Sequence, residues 1–158
     1  MKVLKDIKWN AKNVLRLIIP MILGFGMNLI PECRMSKNSG ANVKFRPPSK
    51  AFGIIWPILY LIFGLSWIIA SGTPNMLNCY ITVDVLYIII TALLTLWIVV
   101  YSCLKNKKGG IYVIATCIGC IILTMNIVSV YSRLLLTPLI TWLSLALLLN
   151  VFDVQNSK

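Results

Sequence analysis

The sequence predicts an all-α, polytopic membrane protein: one domain, residues 1–158, folded as a five-transmembrane-helix bundle. Three observations carry this. The chain is 59% hydrophobic and 12% charged, whereas a soluble domain carries about 25% charged residues. A chain of this length cannot hide the excess in a water-soluble core, because it would still need a polar surface. The apolar residues gather in runs of the roughly 20 residues that cross a hydrocarbon core about 30 Å thick. These runs do not alternate apolar with polar residues, as the strands of a membrane barrel would.

Residues Met1 to Lys12 are polar and basic. The first span covers about 14–30. No small-x-small cleavage site follows it, so it reads as a retained span rather than a signal peptide. Gly24 and Gly26 within it allow a second helix to approach closely. Pro31 to Lys50 is polar and ends in Pro47-Pro48, which disfavours helix before it and suits the first turn of a helix after it. The second span covers 49–70, and Ser71 to Pro74 reads as a turn. The third, 77–103, is long enough to tilt. Lys105 to Gly110 reads as a break, the fourth span covers 111–130, Tyr131-Ser132-Arg133 reads as a tight connection, and the fifth covers 134–152.

The net charge of +11 lies outside these runs. It fits anionic headgroups and loop charge, not a nucleic-acid partner. One face would carry Lys2, Lys5, Lys8, Lys12, Arg16 and Arg133. The other would carry Arg34, Lys37, Lys44, Arg46, Lys50, Lys105, Lys107, Lys108 and Lys158. This small excess favours a cytoplasmic position for the first and third loops and the C-terminus. Five cysteines and no histidine argue against a metal site, since zinc takes about four ligands. Cys117-x-x-Cys120 lies inside an apolar run and reads as packing. The odd count gives no support to a disulfide framework. No triad, paired-carboxylate site or phosphate loop is present, so hydrolysis is not expected.

Four places stand out from plain lipid-facing sequence. Phe52, Trp56 and Tyr60 recur at i, i+4 and i+8 on one helix face, beside Pro57, which frees a backbone carbonyl. They fit either the wall of a pocket for a flat apolar ligand or an interfacial aromatic belt. Pro138, Trp142, Ala146 and Asn150 repeat every four residues, as a pocket wall or as packing. Asp84 is a carboxylate inside a span, a functional candidate by default, or else a group reaching headgroups and water. Trp97 and Tyr101, next to a basic loop, read first as an interfacial anchor.

These stretches resemble the TspO/translocator protein family, also called tryptophan-rich sensory proteins or peripheral benzodiazepine receptors. That family's W-x-P-P, apolar, W-x-x-L-Y pattern is matched by Phe45-Arg46-Pro47-Pro48, Phe52 and Trp56-Pro57-Ile58-Leu59-Tyr60. Its P-Y-L-x-W-x-x-F-A-x-x-L-N pattern is matched from Pro138 through Trp142 and Ala146 to Leu149-Asn150. Trp97 and Tyr101 occupy the aromatic positions of the third-span motif. The chain departs from the family at Leu94, where an asparagine stands, and at Leu139, where a tyrosine stands. It also departs in a fourth span without a carboxylate and in a C-terminus without the tyrosine of a proposed cholesterol motif. Val99 to Lys105 and Val128 to Arg133 fit the loose cholesterol pattern.

The resemblance implies a five-helix bundle with a pocket opening toward the first loop, often as a homodimer. The expected ligands are protoporphyrin IX, haem, sterols in some lineages and synthetic benzodiazepine-type compounds, with no required cofactor and the lipid bilayer as partner. Phe52, Trp56, Tyr60, Trp97 and Trp142 would supply stacking, and Ala146 and Leu149 the floor. Pro138 and Asn150 complete that side, and Pro47 and Pro48 set how the loop covers the mouth. Lys44, Arg46 and Lys50 would face porphyrin propionates or simply solvent. One alternative is an enzyme that degrades porphyrin with light and oxygen through Trp56 and Trp142. Another is a sterol-binding or scaffold membrane protein. The expected location is the mitochondrial outer or another intracellular membrane in a eukaryote, and the inner membrane in a bacterium.

Overall fold

The computed structural model describes residues 9–33, 43, 46–73 and 83–155. Within these residues the chain is helical and forms no strand. Five α-helices follow one another: α1 Ala11–Leu29, α2 Ser49–Gly72, α3 Val83–Ile98, α4 Lys107–Ile127 and α5 Val130–Gln155. A 3₁₀ turn, Pro31–Cys33, follows α1, and α3 runs on through a π-helical turn, Val99–Cys103. Four helices are long and apolar enough to cross a membrane: α2, α3 with its π turn, α4 and α5. Of the five spans expected, four are helices of spanning length and composition; α1 packs beside them. The start expected for the third span, 77–82, lies outside the described residues.

Several hydroxyl groups inside these helices bond to the helix itself. Thr91 donates to the Tyr87 carbonyl, Thr116 to Tyr112, Thr124 to Cys120 and Ser144 to Ile140, at 2.7–2.9 Å. A lipid-facing polar group has no water to turn to, so this internal satisfaction is what a bilayer requires.

Two expected connections are corrected. The fourth helix starts at Lys107, not 111, because the Asn106 side chain caps it, accepting from the Gly109 amide at 2.9 Å. Gly109 and Gly110 are thus inside the helix. Gly110 is buried against Trp97 and Tyr101, and a Cβ there would lie 3.2 Å from the Tyr101 ring. The last helix starts at Val130, not 134. The turn is Val128-Ser129, where the Arg133 amide donates to the Ser129 carbonyl at 2.9 Å. The Arg133 guanidinium Nε also donates to the Met125 carbonyl at 2.7 Å, covering an open carbonyl at the end of α4.

Around the bundle, α1 packs on α2, α2 on α5, α5 on α4, α4 on α3, and α3 back on α1. The shared core includes Phe63, Tyr87, Ile90, Ile114, Ile121, Leu136 and Leu143, all fully buried. Phe63, Tyr87 and Trp67 stack in sequence, with centroids 5.1 and 5.6 Å apart. The Tyr87 hydroxyl lies 2.6 Å from the Ser66 hydroxyl, which donates to the Ser132 carbonyl at 2.9 Å. One polar chain therefore ties α3, α2 and α5 without leaving a buried hydroxyl open.

Glycine sets the α1–α2 distance. A Cβ on Gly64 would fall 2.8 Å from the Leu17 Cα and 3.1 Å from the Arg16 carbonyl oxygen, both backbone atoms that cannot swing aside. Gly24 lies so close to the Tyr60 ring that a Cβ would overlap it. Gly64→Ala is expected to cost about 1–3 kcal/mol by forcing these helices apart, read as an earlier unfolding transition in a denaturing-detergent titration. Unchanged unfolding would show that the helices do not touch there.

Contrary to the reading of the odd cysteine count, Cys33 and Cys103 form a disulfide across a sequence separation of 70. It ties the turn after α1 to the end of α3. Closing so long a loop stabilises by about 2–4 kcal/mol. We expect titratable thiols in the denatured chain to rise by two on reduction, and Cys33→Ser to abolish that rise while leaving Cys117 buried as before. An identical thiol count with and without reductant would contradict the bond.

Candidate functional site

The sequence-predicted ligand residues separate into two groups. In the first, the rings stack on one another. Trp56 on α2 lies between Tyr60, at 5.4 Å and 28°, and Trp97 on α3, at 5.7 Å and 30°. Trp97 stacks in turn on Tyr101 at 5.8 Å and 24°. Phe25 of α1 meets Tyr60 edge-on at 6.1 Å. The i, i+4 spacing of Trp56 with Tyr60 and of Trp97 with Tyr101 makes each pair adjacent on its own helix, and the α2–α3 approach joins the pairs. Trp97 is only 4% exposed, so the reading of Trp97 and Tyr101 as an interfacial anchor is corrected. The Tyr101 hydroxyl donates to the Asp153 carboxylate at 3.0 Å, which also pairs with Lys107 at 3.0 Å. This locks α3, α4 and α5 at one end.

The second group forms a groove of about 570 Å³ between α2 and α5, open on the outer face of the bundle. Ile55 and Leu59 line it from α2, and Leu134, Thr137, Pro138, Thr141, Trp142 and Leu145 from α5. Phe52 meets Trp142 edge-to-face at 5.4 Å and 64°. Pro138 has no N–H for the Leu134 carbonyl one turn back, so α5 runs through this wall with one helical bond fewer. The Thr137 and Thr141 hydroxyls donate to the Arg133 and Thr137 carbonyls at 3.2 and 2.9 Å, leaving the groove surface mostly apolar. Ala146 and Asn150 are buried on α5, and Leu149 is half-buried. Pro48 stands at the N-cap of α2 and accepts from the Ala51 amide at 2.8 Å, with Pro47 half-buried before it. Arg46 and Lys50 make no ion pair among the described residues, and Lys44 lies outside them.

Four buried side-chain polar atoms have no hydrogen-bond partner among the described residues: Trp97 Nε1, Trp142 Nε1, Asn150 Nδ2 and the Ser102 hydroxyl. Three of the four belong to predicted ligand residues, and all three are N–H donors. A buried donor without an acceptor costs about 1–3 kcal/mol, so each calls for an explanation.

Sequence reasoning singled out Asp84 but not what holds it. Arg16 grips it with Nε at 3.0 Å and Nη2 at 2.8 Å, Trp67 Nε1 donates at 2.7 Å, and the Ser71 hydroxyl at 3.1 Å. The third guanidinium nitrogen donates to Asn13 at 2.6 Å. Asp84 is thus the keystone of α1, α2 and α3, with its side chain still part-exposed at the start of α3. Arg16 and Asp84, opposite charges placed at the same end of two spans, were the available signal. Leu94 and Leu139, where the chain departs from the pattern it resembles, are both buried in the core.

A helical bundle with four helices long and apolar enough to span, and with Arg16 paired to Asp84 and Lys107 to Asp153, is an integral, multi-pass membrane protein. The chain belongs to the TspO/MBR family, whose model matches residues 16–153 and so takes in nearly all of the helical bundle. No curated protein matches the chain.

Proposed function

We propose that this protein binds a flat, largely apolar ligand of the porphyrin class, with protoporphyrin IX or haem as the model, in the groove between α2 and α5. The supporting observation is an apolar groove whose wall includes Trp142, the one lining residue with an unsatisfied N–H donor among the described residues. Apolar walls with a few convergent polar groups are the general form of a small-ligand site. A porphyrin supplies both a flat face for Trp142 and its neighbour Phe52 and a carboxylate acceptor for the Trp142 indole N–H. Membership of the family adds to this reading.

In the same proposal α1 is a fifth span, since it packs along α2 and α3 and its Arg16 is neutralised by Asp84. The end bearing Cys33–Cys103 then faces the oxidising compartment, because disulfides persist there and not in a reducing cytosol. This outweighs the small cation excess that favours the opposite orientation.

The test is a dark titration of the purified chain with protoporphyrin IX, followed by tryptophan fluorescence. We expect saturable quenching with one site per chain. A linear, unsaturable decrease would contradict the proposal.

A further inference from the structure

On the other side of the bundle, a second groove of about 440 Å³ runs between α1 and α3. Its walls are Leu15, Ile19 and Leu23 on α1, spaced i, i+4 and i+8, facing Ile88 and Ala92 on α3. These walls are apolar and largely exposed. Its head is polar and is built by Arg16, Asp84 and Trp67. The head lies where α1 begins, α2 ends and α3 begins, so it belongs to one membrane interface.

The charge at this head does not cancel. Arg16 is consumed by Asp84, and Asp84 by its four donors. Lys12, one turn before Arg16, also lines the groove and makes no ion pair among the described residues. Lys2, Lys5 and Lys8 precede it in the sequence. The groove therefore offers one net cation at headgroup level and an apolar trough beneath it. From Leu15 to Leu23 the trough runs about 12 Å at 1.5 Å per residue, against roughly 15 Å for one leaflet of a 30 Å hydrocarbon core.

We propose that this groove is a site for an anionic glycerophospholipid, with its phosphate against Lys12 and one acyl chain along Leu15, Ile19 and Leu23. The small side chain of Ala92 leaves the room for that chain. The paired Arg16–Asp84 bridge forms a fixed, neutral shelf beneath the phosphate. Lys12 supplies selection for an anionic over a zwitterionic lipid.

The test is native mass spectrometry of the full chain in detergent, with equal amounts of dioleoyl phosphatidylglycerol and dioleoyl phosphatidylcholine. The wild type is expected to retain one phosphatidylglycerol per chain with about fivefold preference, the ratio that an interfacial cation worth about 1 kcal/mol gives. Lys12→Gln, a change at an exposed position, should bring the preference to about one. Ala92→Phe, which fills the trough from its open side, should lower retention of both lipids. Lys108→Gln, an exposed cation elsewhere, should change nothing. Equal retention of the two lipids by the wild type, or an unchanged preference in Lys12→Gln, would overturn the proposal. So would a lipid-free dimer that Ala92→Phe dissociates, since a second copy would then be the occupant.

Discussion

Asp84→Ala is expected to destabilise the bundle by about 2–3 kcal/mol. The substitution removes an acceptor that serves the Arg16 guanidinium twice, the Trp67 indole and the Ser71 hydroxyl. It strands Arg16, whose side chain is only 17% exposed, beside apolar helices. Breaking a fully buried pair by removing one partner costs about 3–5 kcal/mol. The Asp84 side chain is 44% exposed, which places the expected cost below that range. Removing both charges is different in kind, because the desolvation cost disappears together with the attraction. Arg16→Met combined with Asp84→Leu should therefore recover most of the loss. Equilibrium unfolding in mixed micelles reads both. If Asp84→Ala unfolds within 0.5 kcal/mol of wild type, roughly the scatter of an ordinary surface substitution, the keystone role is wrong.

The second large effect separates binding from stability at two tryptophans. Trp142 is half-buried on the wall of the α2–α5 groove, in edge contact with Phe52. Trp97 is buried within the Trp56–Trp97–Tyr101 stack. Truncating a stacking aromatic in a ligand site costs about 1–3 kcal/mol of binding, so Trp142→Ala should weaken protoporphyrin IX at least tenfold with a small change in unfolding. Truncating a buried aromatic costs about 3–5 kcal/mol of stability, so Trp97→Ala should shift unfolding strongly. If the two variants exchange these effects, the ligand stacks at Trp97 and the α2–α5 groove is not its site.

The contrast between these tryptophans marks how far the sequence could be read. The helices were legible because long apolar runs admit few other structures in a bilayer. The pattern from Pro138 to Asn150 placed α5 residues on the groove and in the core beneath it. What the sequence hid was which rings pair with which. Phe52, Trp56 and Tyr60 share one face in a helical reading, yet Phe52 turns to Trp142 on α5, while Trp56 and Tyr60 join the stack that Trp97 and Tyr101 extend on α3. That choice is made by the circular order of the helices, which no local spacing encodes. The Arg16–Asp84 bridge joins residues 68 apart, and the Cys33–Cys103 bond residues 70 apart. Counting cysteines could not show that two helix ends meet. The misplaced starts of α4 and α5 have a local cause. Gly109-Gly110 and Tyr131-Ser132-Arg133 look like turns, but Asn106 and Ser129 cap the helices just ahead of them.

A ligand held in the groove between α2 and α5 is excluded when the groove is filled. Thr137 is exposed on the groove wall, so Thr137→Phe adds a ring to the cavity without entering the core. Protoporphyrin IX binding, read from the porphyrin's own absorbance in the dark, is predicted to lose its saturable phase in Thr137→Phe while unfolding stays as in the wild type. Saturable binding of wild-type affinity in that variant would place the ligand elsewhere and contradict the account.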